Sequence, residues 1–170
     1  MKTKLEDNLI LNKKQVMQKV IRMAFEIYEN NYKEKRLVIA GISGEGFTLA
    51  RLLVRELKKI SPFELVLVKV DINKEDPTDK DIKINCDLKT LNRSCLILVD
   101  DVLNTGRIFL HSLKPFLNID VKKIQTAVLV NRRHKLFPIS ADYTGYELST
   151  TLNDHIQVTL SKEQFGVYLY

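Results

Sequence analysis

The stretch Leu96-Ile97-Leu98-Val99-Asp100-Asp101-Val102-Leu103-Asn104-Thr105-Gly106-Arg107 decides the reading of this chain. Cys95 to Val99 has the pattern of a strand buried on both faces. That strand delivers two consecutive carboxylates to its end. A short turn with Thr and Gly follows, and a helix is predicted from Arg107 to Phe116. Backbone N–H groups at a helix start, with a glycine permitting close approach, form a cradle for a phosphate. Thr105 adds a hydroxyl donor and Arg107 a positive charge. The carboxylates themselves repel phosphate. They can accept hydrogen bonds from sugar hydroxyls, or hold Mg²⁺ directly or through water. A diol-binding pair beside a phosphate cradle describes a site for a phosphorylated ribose.

Outward from this stretch, strands and helices alternate. Val16, Val20, Met23, Ala24 and Ile27 fall at helical spacing within Asn12 to Tyr32, with Asn12 placed as N-cap. Leu37 to Ile42 reads as a buried strand, Ser43-Gly44-Glu45-Gly46 as a turn, and Phe47 to Ile60 as a second helix. Phe63 to Val70 is a further strand, and Ile124 to Val130 follows the central motif as another. Short strand-like pieces are expected near 142–145, 156–160 and 167–170. This order predicts an α/β fold with a central parallel sheet, right-handed crossovers and flanking helices. Ligands of such sheets sit beyond the carboxyl ends of the strands, which puts loops 43–46 and 102–106 on one edge. The polar stretch Asn73 to Lys83, with Pro77 and four acids, is the best candidate for a mobile loop.

The chain has 170 residues and 19.7 kDa, with 45% apolar and 28% charged residues, the size and composition of one globular domain over 1–170. Its longest apolar run is too short for a membrane span, and the N-terminus lacks an apolar signal segment. Two cysteines, Cys86 and Cys95, form no disulfide framework, which fits a reducing, cytoplasmic setting. The charge of +6 favours an anionic partner, although the basic residues sit in small groups such as Lys13-Lys14 and Arg132-Arg133. A receiver domain also ends a strand in acids, but near its start. A dinucleotide site requires G-x-G-x-x-G, a spacing that Gly41 to Gly46 does not supply. His111 and His155 lack partners at zinc-ligand spacing. A purely structural turn at 102–106 is the remaining alternative.

Val99 to Arg107 resembles the phosphoribosyl-pyrophosphate (PRPP) signature of the type I phosphoribosyltransferases: strand, two acids, two apolar residues, a variable residue, then Thr-Gly. Val38 to Phe47 sits where that family has its pyrophosphate-contacting loop. Ala127 to Lys135 and Pro138 to Gly145 resemble the bacterial pyrimidine-attenuation regulators that are also uracil phosphoribosyltransferases. The resemblance covers most of the chain and implies a small hood over the active site. It assigns Asp100 and Asp101 to the ribose 2′ and 3′ hydroxyls and, directly or through water, to Mg²⁺. Val102, Leu103, Asn104, Thr105, Gly106 and Arg107 would bind the 5′-phosphate, and Ser43, Gly44, Glu45 and Gly46 the pyrophosphate. The expected reaction joins PRPP and a nucleobase into a nucleoside 5′-monophosphate. A homodimer is expected from the resemblance. The alternative is a PRPP- or nucleotide-sensing regulator that binds RNA, ranked lower because the basic groups are scattered and no aromatic platform is legible; a nucleotide-dependent partner protein without turnover comes third.

Three departures matter. Asn104 stands where purine-salvage members commonly carry an Asp, which favours a pyrimidine such as uracil. Glu45 stands where the regulators carry a basic residue. It either faces the pyrophosphate, and opposes it, or opens the following helix towards solvent. The 73–83 loop is shorter than the family's closing loop. Within it Lys74, Lys80 and Lys83 could reach pyrophosphate, while Glu75, Asp76, Asp79 and Asp81 work against that. Arg132, Arg133 and His134 are candidates for contact with substrate, RNA or only solvent.

Overall fold

Alternate side chains of the strand at Arg36–Ile42 enter different cores: Leu37 and Ile39 pack on one face of the sheet, Val38, Ala40 and Ile42 on the other. Successive strand residues point to opposite faces, so only a strand covered on both sides can be apolar throughout. The computed structural model describes residues 8–78, 81–161 and 163–170. In chain order its elements are β1 (Leu9–Asn12), α1 (Lys13–Asn31), β2 (Arg36–Ile42), α2 (Glu45–Ile60), β3 (Glu64–Asp71), β4 (Lys83–Ile84), β5 (Cys95–Leu103), α3 (Arg107–Ser112), β6 (Lys123–Asn131), β7 (Tyr143–Glu147), β8 (Ile156–Thr159) and β9 (Gly166–Leu169).

The main sheet has the order β4-β3-β2-β5-β6-β7. All its neighbours are parallel except β3 and β4. From β2 the chain crosses through α2 to β3 on one side; from β5 it crosses through α3 to β6 on the other. The loops leaving β2 and β5 therefore diverge, and the crevice between their carboxyl ends is the switch point where such sheets take ligands. Helices α1 and α2 cover one face, with Val16, Val20, Met23, Leu49 and Leu53 in its core. Phe109 and Phe116 cover the other. A second, antiparallel sheet of order β1-β9-β8 joins the two ends of the chain and supplies the small layer expected as the hood.

Asn12 caps α1 as the sequence predicts: its side chain accepts from Gln15 N, and Gln15 reaches back to Asn12 N. Strands β1 and β4 were not expected, and three expected elements differ in their bounds. β5 does not stop at Val99 but runs to Leu103, because Asp100, Val102 and Leu103 pair with Val128, Val130 and Asn131 of β6. Helix α3 ends at Ser112 instead of Phe116. Pro115, which lacks an N–H and disfavours helical geometry in the residue before it, turns the chain into a separate 3-10 turn over Lys114–Asn118. Helix α2 begins two residues earlier than expected, at Glu45. Among the described residues, no helix is long and apolar enough to cross a membrane.

Candidate active site

Because β2 and β5 are adjacent and parallel, with Gly41 opposite Val99, the loop after β2 meets the acid pair directly. Gly44 has φ +89°, a conformation open to glycine but strained for other residues. It turns the chain into α2, whose second residue, Gly46, lies against Asp100. A Cβ on Gly46 would stand 2.5 Å from Asp100 Oδ1 and 2.9 Å from Asp100 Cα. Ser43 N donates to Val70 O (2.8 Å), fixing the loop to β3 as well.

The two acids are unequal. Asp100 is 3% exposed, and its Oδ1 accepts from Asp101 N (3.0 Å) and from Lys74 Nζ (3.0 Å). Burial first, and then the charge of Asp101, push its carboxyl well above the ordinary range, against the pull of Lys74. Asp101 is the more accessible of the two, with Lys74 Nζ 3.8 Å from its Oδ1. Lys74, expected to reach towards pyrophosphate, thus sits on the acids. Lys83 opens β4, opposite Asp71, and Asp79 and Lys80 lie outside the described residues.

The turn after β5 contains Gly106 at φ +87°. Residues Val102 to Phe109 enclose a cavity of about 120 Å³. Thr105 O accepts from Leu136 N (2.9 Å) and Phe137 N (3.0 Å), so the following loop braces the turn from outside. Thr105 Oγ1 accepts from Arg107 N at 3.3 Å and keeps its own O–H free to donate. The six-residue length of α3 limits its helix field, so a phosphate at this turn would depend on local N–H groups more than on the macrodipole expected from a longer helix. A side chain at position 106 would press on Ile139 Cβ (3.2 Å).

Glu45 does open α2, but it is not turned out to solvent. It is half-buried, and its Oε2 accepts from Leu160 N (3.2 Å), tying α2 to the residue after β8. Burial raises its carboxyl above the ordinary range, the Leu160 hydrogen bond opposes this, Asp101 raises it further and Lys74 lowers it. Three carboxylates and one ammonium therefore share this end of the crevice.

The basic group at 132–135, for which solvent was one candidate, is engaged within the chain. Arg132 is 8% exposed, and its guanidinium donates to Thr150 Oγ1 (3.0 Å), Asp154 O (2.7 Å) and Thr151 O (3.4 Å). His134 Nε2 lies 2.8 Å from Thr150 O. Arg133 pairs with Glu147, and Lys135 donates to Ser140 Oγ (3.1 Å). Together Arg132 and His134 hold the 150–154 loop beside the 102–107 turn, leaving Leu152 89% exposed. Two cavities adjoin here and share Asn104: one of about 260 Å³, reaching Asn131, Ile139 and Ser140, and one of about 400 Å³, reaching His134, Leu136 and Leu152. Sequence reasoning missed the Gly46 approach, the Leu160 contact and the Arg132 clamp; all three join residues distant in sequence, and no local pattern signals them.

The model of the phosphoribosyl transferase domain matches residues 8–162. The chain belongs to this family. It is accordingly a glycosyltransferase-class enzyme by domain, with the fold that the PRPP-like segment implied. It is 33% identical over 163 residues to the bifunctional protein PyrR of Clostridium botulinum, covering 90% of this chain and 89% of that protein. The PyrR of Macrococcus caseolyticus is also 33% identical, over 98% of this chain and 99% of its own. Among solved structures, a hypoxanthine phosphoribosyltransferase of Trypanosoma cruzi superposes with a TM-score of 0.76 at 12% identity, over 95% of both chains. One from Staphylococcus aureus gives 0.69 at 15% identity, over 84% of this chain and 78% of that chain. At such identities the structures speak for the fold alone.

Proposed function

We propose that this enzyme transfers the phosphoribosyl group of PRPP to a ring nitrogen of a nucleobase, a pyrimidine such as uracil, forming a nucleoside 5′-monophosphate. The observation that carries the reading is one unbroken segment at the switch point: the acid pair at 100–101, then the Gly106 turn with its own cavity. In this reading the turn from Val102 to Arg107 takes the 5′-phosphate. Asp101, supported by Asp100, takes the ribose hydroxyls, and Ser43 to Gly46 border the pyrophosphate. The base nitrogen forms a bond to C1 as the C1–oxygen bond to pyrophosphate breaks, and the base loses its ring proton to solvent. The transition state resembles an oxocarbenium ion, so the chain's residues act by positioning the reactants and stabilising the departing charge.

Mg²⁺ fits the donors present. It commonly binds through one or two carboxylates and substrate phosphates while keeping several waters. Asp100 and Asp101 would hold it; no larger group of potential metal ligands occurs among the described residues. When bound, it offsets the negative charge of the pyrophosphate. The base preference is supported by Asn104, which both neighbouring cavities share. A base in either one meets an amide, a donor and acceptor together, in place of a carboxylate.

The test is incubation with radiolabelled PRPP and a panel of uracil, cytosine, hypoxanthine and guanine, followed by separation of the nucleotides. Labelled uridine 5′-monophosphate is the expected product; a purine monophosphate alone would overturn the base assignment. Glu45 favours a second reading, a PRPP or nucleotide sensor with little turnover, since a carboxylate beside the acid pair opposes a pyrophosphate. That reading predicts saturable PRPP binding without pyrophosphate release. RNA as a partner is less supported, because the basic side chains at 132–135 are engaged within the chain.

A further inference from the structure

The acid pair already holds a cation. Lys74 follows β3, yet its Nζ lies 3.0 Å from Asp100 Oδ1 and 3.8 Å from Asp101 Oδ1. In the sheet order, β2 separates β3 from β5. Strands two places apart are about 9–10 Å from each other, so the lysine reaches across the mouth of the crevice. The same segment carries Asp76, whose carboxyl is lowered first by hydrogen bonds from Thr78 and further by the charges of Arg107 and His111. Residues 73–78 thus present a cation to the acids and an anion towards the cationic side of the phosphate turn.

Two adjacent carboxylates, one of them almost wholly buried, require a counter-charge to remain ionised together. Lysine suits a counter-charge that has to leave. Its ammonium is a strongly hydrated point charge on a flexible stem, without the two-pronged grip of arginine. The Lys74 side chain is 38% exposed, so water is at hand when it withdraws. We propose that Lys74 is the resident cation of the acid pair, and that a divalent cation enters only by exchange with its ammonium. Only the identity of the accompanying ligand as PRPP rests on the transferase reading; the exchange itself rests on these three side chains. A competing internal cation weakens metal binding by the fraction of time that it occupies the pair. The chain is thereby tuned to bind a metal that arrives with its anionic ligand, in preference to the free ion.

The experiment titrates the full chain with Mn²⁺ as a spin probe, at one fixed pH, in the wild type, Lys74→Met, Lys74→Gln and Asp101→Asn. Circular dichroism and a thermal melt check folding, and the glutamine variant serves if the methionine variant fails to fold. The neutral variants should bind Mn²⁺ at least ~10-fold more tightly than the wild type, a change of about 1.4 kcal/mol. Asp101→Asn should weaken Mn²⁺ binding, and the tightening should vanish when it is combined with Lys74→Met. Unchanged or weaker Mn²⁺ binding in the folded neutral variants overturns the proposal. Parallel titrations with PRPP and uridine 5′-monophosphate separate it from the transferase reading. Tightened Mn²⁺ binding with no affinity for either PRPP or uridine 5′-monophosphate leaves the exchange standing and removes the transferase. Turnover of PRPP with unchanged Mn²⁺ affinity does the reverse.

Discussion

Gly46→Ala probes how closely α2 is pressed against the acid pair. The added Cβ would lie 2.5 Å from Asp100 Oδ1, 2.9 Å from Asp100 Cα and 3.2 Å from Val99 O. Ordinary carbon contacts are near 3.5–4.0 Å, roughly an ångström longer than the two shortest of these. Two of the three neighbours are backbone atoms of β5, paired with β2 and β6, and cannot swing aside. The third is a carboxylate oxygen fixed by Lys74 and Asp101 N. Relief must come from moving the start of α2 or from turning Asp100. Overpacking of this kind costs typically ~1–3 kcal/mol. The better helix propensity of alanine offsets up to about 1 kcal/mol of that at a helix interior, and less near an end. A net loss of ~1–2 kcal/mol lowers Tm by roughly 2–8 °C for a chain of this size. Affinity for uridine 5′-monophosphate should fall with it, because Asp100 braces the loop and Asp101. Differential scanning calorimetry and isothermal titration measure the two effects. A variant that melts and binds like the wild type would refute the tight approach and the role drawn from it.

Gly106→Ala forces an L-residue to φ +87° and brings its Cβ against Ile139; it should cost on the order of 1–3 kcal/mol in a thermal melt and reduce monophosphate affinity. Asp100→Asn should melt above the wild type at neutral pH, by a margin that shrinks as the pH falls to the ordinary carboxylate range. Burial raises the folded-state pKa of Asp100, so the stability it lends is present while it is protonated and lost as the pH rises through that value; a margin that does not vary with pH would contradict this. Glu45→Gln keeps an acceptor for Leu160 N while removing the charge, so PRPP should bind several-fold tighter and monophosphate affinity should stay constant in paired titrations.

Elements whose signal lies within a few residues were legible. The apolar run of β2, the helical spacing in α1 and the turn with its glycine after β5 each state their own conformation, and the structure follows them. What depended on distant partners was hidden. Leu9–Asn12 shows no strand pattern, because its partner β9 is at the other end of the chain. The extension of β5 through Asp100 and Asp101 runs against the poor strand preference of aspartate and is imposed by β6. For the same reason Arg132 gave no sign that it would be buried under the 150–154 loop.

The electrostatics of the crevice show the same division between legible residues and hidden arrangement. Each of Lys74, Asp100, Asp101 and Glu45 was a visible candidate, but their joint charge was not. Glu45 looked like an isolated obstacle to pyrophosphate. In the structure it is the third carboxylate of a set whose nearest ammonium, Lys74, already belongs to the other two. An anionic ligand entering this set meets an excess of negative charge, and drawing Lys74 towards the ligand would strip the acids of their counter-ion. Adding a cation with the ligand resolves both difficulties at once: it replaces the ammonium at the acids and frees Lys74 to face the new phosphate charge. The divalent-ion dependence proposed above, read first from the acid pair and then from the resemblance, would follow as well from where this chain places its own four charged side chains.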